Sequence, residues 1–172
     1  MQDIKAISPF GAQLTQVAWV VKEIETAEKF FRETMGIPAF IRTENFRAQE
    51  FEGTYYGEAS EAEWHVSIVY AGGSFLELIQ PVSGRSIFQD YLQRHPEGGV
   101  QHIAYSVPIA ELDKAVASLV NNGCPIITSL HMPVAKILFF DTYAALGVAT
   151  EIIGITREGE AFVQNLKLGV KI

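Results

Sequence analysis

Two short runs each hold one carboxylate among apolar neighbours: Phe75-Leu76-Glu77-Leu78-Ile79 and Ala149-Thr150-Glu151-Ile152-Ile153. A third run, Gly99-Val100-Gln101-His102-Ile103-Ala104-Tyr105-Ser106-Val107, holds a histidine in the same way. A fourth, Leu14-Thr15-Gln16-Val17-Ala18-Trp19-Val20-Val21, has a glutamine at the matching place. Taken singly, each glutamate reads as a side chain on a wet strand face and His102 as a hydrogen-bonded core histidine. Burying a lone carboxylate in such a run is costly unless it is paired or bound to a cation. The correspondence between the runs reverses the bland reading. Gln16 and His102 open two similar segments and Glu77 and Glu151 close them, so the four would converge if the duplicated sheets face each other. One imidazole nitrogen, two carboxylates and an amide oxygen suit one divalent ion, Zn²⁺, Ni²⁺, Co²⁺, Fe²⁺ or Mn²⁺, with water completing the shell.

The elements that must position these residues follow from periodicity. Residues 14 to 21 alternate and are rich in β-branched and aromatic side chains, which predicts a strand. On it Gln16, Ala18 and Val20 share one face, so Trp19 on the other is expected to pack against a helix. Glu25 to Gly36 predicts a helix of about three turns, with Ala27, Phe30, Phe31 and Met35 on one side and Gly36 as its stop. Phe40 to Tyr56 reads as one or two extended segments, broken at Gly53 and Gly57, and Glu58 to Glu63 as a hairpin loop. Trp64 to Tyr70 and Ser74 to Ile79 are strands joined by a tight turn at Ala71-Gly72-Gly73. Arg85 to His95 is a short helical connector.

The order then repeats. A strand covers 100 to 107, a helix runs from about 109 to 121, and short strands are expected at Ile126-Ile127, 137 to 141 and 148 to 153. Gln16 to Gly36 spans 20 positions and His102 to Gly123 spans 21, which points to an internal duplication. Residues 158 to 167 have a helical pattern suited to a cover or an interface, and residues 1 to 11 read as an arm.

At 172 residues the chain is expected to be one domain. Its parts are a first module at about 12–81, a connector at 82–98, a second module at about 99–155 and a tail at 156–172. No apolar run reaches the ~18 residues a bilayer needs, and the N-terminus lacks the pattern of a signal peptide. A cytoplasmic protein with no membrane partner is expected. The net charge of −7 and the scatter of Lys and Arg argue against a nucleic-acid partner. The single cysteine, Cys124, lies in a turn-like Asn-Gly-Cys-Pro and has no internal disulfide partner.

The repeated β-α-β-β-β order, with openings at Gln16 and His102 and closings at Glu77 and Glu151, resembles the vicinal oxygen chelate superfamily over roughly residues 12 to 155. That group includes glyoxalase I, methylmalonyl-CoA epimerase, extradiol dioxygenases and bleomycin-resistance proteins. The resemblance implies an α+β fold of two tandem βαβββ modules whose curved mixed sheets enclose a metal and substrate cavity. It implies Gln16, Glu77, His102 and Glu151 as the metal ligands, a set similar to that of eukaryotic glyoxalase I. It also implies a homodimer. Glyoxalase I of that type holds glutathione through an arginine and an asparagine, each four residues past a ligand. Val20 and Pro81 stand there in this chain, so a glutathione adduct is not expected. The dioxygenase triad of two histidines and a glutamate maps to Gln16, His102 and Glu151, and lacks its first histidine.

The activity expected is that of a metal-dependent lyase or isomerase of glyoxalase or epimerase type. It transfers a proton through a metal-stabilised enolate or enediolate of a small carbonyl substrate, with Glu151 as the first candidate base and Glu77 as the second. The alternative is a metal-free small-molecule binding protein of the resistance type, followed by an extradiol-type dioxygenase. For substrate contact the candidates are His65, Tyr70, His131 and Phe139. Arg42, Arg47, Arg85 and Lys136 are the cations nearest the ligand strands, and a bulky, partly apolar carbonyl compound suits the sequence better than a highly charged thioester.

Overall fold

The computed structural model describes residues 11–37 and 39–170. The arm expected at the N-terminus therefore lies, apart from Gly11, outside the described residues. The first half runs β1 (Gln13–Val20), α1 (Ile24–Thr34), β2 (Ile41–Arg47), β3 (Thr54–Tyr55), β4 (Glu58–Ala59), β5 (Glu63–Ala71) and β6 (Ser74–Ser83). After α2 (Ile87–Arg94) come β7 (Gly99–Pro108), α3 (Leu112–Asn121), β8 (Ile126–Met132), β9 (Ala135–Phe140), α4 (Tyr143–Leu146), β10 (Ala149–Ile155) and α5 (Arg157–Lys167).

Among the described residues ten strands join one mixed sheet in the order β2-β5-β6-β1-β7-β10-β9-β8-β3-β4. At its centre β1 and β7 run antiparallel, and each has the last strand of its own half parallel on its other side, β6 beside β1 and β10 beside β7. The halves are thus related by an approximate twofold axis between β1 and β7. The sheet curls into a half-barrel. On its concave side one apolar cluster joins Val20, Trp64 and Ile79 of the first half to Ile127, Leu130 and Phe139 of the second. From α2, Phe88 enters this cluster edge-on to Trp64 and Phe139, with ring centroids 5.1 and 5.8 Å away.

The helices α1 and α3 cover the convex side. Leu112 and Ala115 of α3 pack on Val107, Phe140 and Ile152. Trp19 meets Phe31 of α1 edge-on at 5.6 Å, as the parity of β1 predicts. On the same helix Glu28 accepts hydrogen bonds from Arg42 Nη2 (2.7 Å) and Ser67 Oγ (2.5 Å), riveting α1 to β2 and β5. Burial alone would raise the Glu28 carboxyl, but the hydrogen bonds from Arg42 and Ser67 and the charges of Arg42 and Arg32 together outweigh it and hold the group below the usual carboxylate range.

Two stretches differ from the sequence expectation. In place of a hairpin loop over 58 to 63, a small hairpin turns at Tyr56-Gly57, both at positive φ, between β3 and β4. β3 then pairs with β8 of the other half, Thr54 opposite Ser129 and Tyr55 opposite Thr128. β8 is seven residues long through its pairing with β9, which puts His131 opposite Lys136 on a strand, not in a loop, and β3 takes part of its other edge. Local periodicity carries no trace of a partner so distant in sequence.

Phe88 is 2% exposed and bridges the two halves. Phe88→Ala should cost about 3–5 kcal/mol of stability, read as a lower urea midpoint at unchanged m-value.

Candidate metal centre

The site is built from two rows across the four central strands. In one row Glu77, Ala18, His102 and Ala149 lie side by side, and in the next Phe75, Gln16, Ala104 and Glu151. Each carboxylate is thus separated from the polar residue of its own row by one alanine, and Ala18 and Ala104 are both fully buried. With only methyl groups between them, the longer side chains close over the alanines and meet.

They do meet. Gln16 Nε2 lies 2.9 Å from Glu77 Oε2 and 3.3 Å from Glu151 Oε2. His102 Nε2 lies 3.3 Å from Glu77 Oε2, 3.2 Å from Glu151 Oε2 and 3.4 Å from the Gln16 amide nitrogen. The structure therefore brings together all four residues singled out in the sequence.

Each opening strand also has an irregularity beside its polar residue. The β1–β7 register skips Thr15 just before Gln16, and skips Gln101 just before His102. A bulge of this kind breaks strict alternation and re-aims the bulged side chain. As a result Gln101, fully buried like His102, reaches the same imidazole, its Oε1 lying 2.6 Å from His102 Nδ1. Gln101 Nε2 donates in turn to the Tyr143 hydroxyl at 2.6 Å. With its amide oriented that way, Gln101 accepts the Nδ1 proton and leaves Nε2 to face the carboxylates. Reading the sequence by alternation alone missed Gln101 and Tyr143, since a regular strand would turn Gln101 to the opposite face.

The electrostatics follow from this geometry. A bare Nε2 lone pair would face two carboxylate oxygens, so Nε2 holds a proton. Burial disfavours the charge, but Glu151 and Glu77 outweigh it and push the His102 pKa up to about 9. Burial lifts the Glu77 carboxyl above its ordinary range; His102 opposes the rise and the Glu151 charge adds to it.

Among the described residues no group of three or more His, Cys, Asp or Glu side chains stands ready-made to hold a metal ion. The donor set nevertheless fits a cation. Ligand atoms held at ~2.0–2.2 Å around one ion lie roughly 2.9–3.5 Å apart, which is the range of the contacts above. Whichever way the Gln16 amide is turned, a clash remains: its nitrogen faces protonated Nε2, or its oxygen faces the carboxylates. A divalent ion in place of the Nε2 proton, with the amide oxygen inward, satisfies all four groups and balances both carboxylates.

Above this floor lie two adjoining chambers of about 320 and 150 Å³. Glu77 and Glu151 line both and Gln16 the smaller, while His102 lies beneath them, fully buried. Of the sequence's candidates for substrate contact, Phe139 lines the larger chamber. The other three stand outside the lining. Trp64, Val66 and Ile68 face the chamber, so His65 faces away and lies against Asn45 and Glu44. The Tyr70 ring is turned against Phe75 and Lys167. His131 is exposed beside Glu52, while its neighbours Leu130 and Met132 point inward.

Residues 15–139 match the family model described as the glyoxalase/bleomycin resistance protein/dioxygenase superfamily. The chain belongs to this superfamily. Solved structures share the superfamily fold. Methylmalonyl-CoA epimerase from Mycobacterium tuberculosis is 17% identical with a TM-score of 0.64, covering 92% of this chain and 97% of its own. A variant of the Streptomyces coelicolor epimerase, in complex with 2-nitronate-propionyl-CoA, is 20% identical with a TM-score of 0.60 over 83% of this chain and 94% of its own. A hypothetical protein from Bacillus halodurans is 20% identical with a TM-score of 0.63 over the same shares, 83% and 94%. Among curated proteins none matches the sequence. No helix among the described residues is long and apolar enough to cross a membrane.

Two outcomes are expected at this centre. Gln101→Leu should weaken zinc binding about 10- to 100-fold in a chelator competition, because the imidazole loses its orienting acceptor. In chelator-treated protein, the raised His102 pKa contributes stability that is complete below about pH 6.5 and lost as pH rises through about 9. The raised Glu77 pKa acts in the same direction. The melting temperature should fall across that window, and one equivalent of zinc should remove the fall.

Proposed function

We propose that the chain is a metal-dependent lyase or isomerase that moves a proton on the carbon beside a carbonyl group. The observation that carries this reading is the convergence of Gln16, Glu77, His102 and Glu151 at the base of an apolar cavity. Gln16, Glu77, His102 and Glu151 would hold the ion, with Gln101 and Tyr143 orienting the imidazole. A bound divalent ion supplies Lewis-acid polarisation of a carbonyl oxygen, which makes the adjacent C–H more acidic.

The chain's own residues do the rest. Glu77 on β6 and Glu151 on β10 rise from opposite sides of the centre, and both line the cavity. A carboxylate on each side lets one take a proton from carbon while the other returns it, giving isomerisation or epimerisation through an enolate. Glu151 is the first candidate base. Its side chain is 5% exposed against 16% for Glu77, so it is the better shielded from competing water. Apolar walls such as Phe88, Phe139 and Ile137 exclude solvent from the reacting carbon. Val20 is sealed in the core and Pro81 is absent from the lining, so neither position offers glutathione a polar contact.

The competing reading is a binding protein without a metal, which the apolar walls also suit. Two buried carboxylates beneath the cavity favour the enzyme, since a binder of apolar compounds gains nothing from them.

Protein purified without chelator should carry close to one divalent ion per chain by elemental analysis. Glu151→Gln should abolish deuterium exchange from solvent into an α-hydroxy ketone such as benzoin while leaving the circular dichroism spectrum unchanged. Protein that holds no metal after such purification, and takes none up on addition, defeats the proposal.

A further inference from the structure

The C-terminal helix α5 makes the cavity more selective than the four-residue floor alone. Its first turn is firmly seated. The Thr156 hydroxyl oxygen accepts from Gly159 N–H at 3.0 Å, and Thr156 donates to the Val134 carbonyl from both N–H (3.1 Å) and Oγ1 (3.0 Å). At Gly159 the helix lies so close to that carbonyl that a Cβ would come within 2.0 Å of it. Seated there, α5 crosses the cavity, and its Phe162 and Leu166 line both chambers together with Glu77 and Glu151.

Apart from the carboxylates, the larger chamber is lined among the described residues by aliphatic and aromatic side chains and Met132, with Thr43 as the one hydroxyl. No Lys or Arg lines either chamber among the described residues. The cations noted in the sequence are engaged elsewhere. Arg42 is held by Glu25, Glu28 and Glu44, Arg47 faces Glu63, Arg85 lies over the Tyr55 ring, and Lys136 is exposed on β9. A larger open groove of about 810 Å³ on the other flank of α5 includes none of the four donors.

Resting on the proton-transfer reading above, we infer that α5 closes the cavity over a neutral carbonyl compound with an apolar body of one or two rings, and that Phe162 and Leu166 select it. The size follows from the larger chamber of about 320 Å³. An apolar cavity of ~150 Å³ holds benzene, so roughly twice that volume takes a substituted ring or a bicycle. The charge follows from the lining. Two carboxylates already balance a divalent ion, and a phosphate or carboxylate on the substrate body would be desolvated with no cation to meet it. A nucleotide-bearing thioester is therefore not a substrate of this cavity.

The test is calorimetric titration of zinc-loaded protein with acetohydroxamate and benzohydroxamate, which share a chelating head and differ in a methyl or phenyl body. Benzohydroxamate should bind about tenfold tighter or more, and coenzyme A at millimolar concentration should not displace it. In the double variant Phe162→Ala, Leu166→Ala the preference should shrink to less than about threefold, because benzohydroxamate loses far more affinity than acetohydroxamate. No phenyl preference, an unaltered preference in the variant, or displacement by coenzyme A overturns the inference. Metal-free protein separates this from failure of the metal reading. The neutral naphthyl ketone dye 6-propionyl-2-(dimethylamino)naphthalene should show blue-shifted emission with wild type, whether or not the protein holds metal. The shift should be lost in the double variant and in Gly159→Ala, which unseats α5. No blue shift with wild type, or a shift the variants leave intact, overturns the inference.

Discussion

Four polar side chains lie on the floor of an apolar half-barrel and can be satisfied only by one another or by a cation. The rest of the architecture serves that constraint. A slip of one residue in the register of β1 or of β7 would turn Gln16 or His102, respectively, to the convex side, where α1 and α3 pack. Larger side chains in place of Ala18 or Ala104 would hold the carboxylates apart. Phe88 and Phe139 press on the imidazole from the cavity side, at 6.1 and 5.0 Å between ring centroids, and leave it no route to solvent. The polar cluster is tolerable because the sheet around it is rigid and dry, and it is reactive for the same reason.

Much of this arrangement was legible in the chain. The lone carboxylates at Glu77 and Glu151 and the paired positions of Gln16 and His102 stood out against apolar strands, and the duplicated order showed that they belong together. The parity of β1 also placed Trp19 against a helix. Other features were hidden for physical reasons. The bulges at Thr15 and Gln101 break the period-two rule on which strand reading rests, so the contact from Gln101 to His102 contradicts local pattern. His65 was open to either face from its own residue type, whereas its neighbours Trp64, Val66 and Ile68 fix the inward face once the cavity is known. Tyr70 has the inward parity but lies at the strand end, where Phe75 and Lys167 capture its ring.

His102 shows how one atom serves two states. Its Nδ1 side is committed to Gln101, so whatever satisfies the carboxylates must come through Nε2. A proton does so in the metal-free chain, and a divalent ion would do so by replacing it. Under the proposed function the floor would be an ion-exchange point, with proton and metal competing for the same lone pair. Tyr143 connects this exchange to the outer surface, where its ring lies under Arg94 in a cleft with Tyr55 and Asp90.

The small hairpin of β3 and β4 has a consequence for how the molecule assembles. It is a strand of the first half that finishes the sheet of the second, across 75 residues of sequence between Thr54 and Ser129. Without it the outer edge of β8 would have no strand beside it, a template for aggregation; β3 covers that edge at Thr128 and Ser129. With it the outermost strand is two residues long and carries Glu58. The second half thus borrows its protection from the first and has no safe existence before the first is made. Synthesis in the N-to-C direction supplies the two in the right order, and the same two halves in reverse order would expose the edge first.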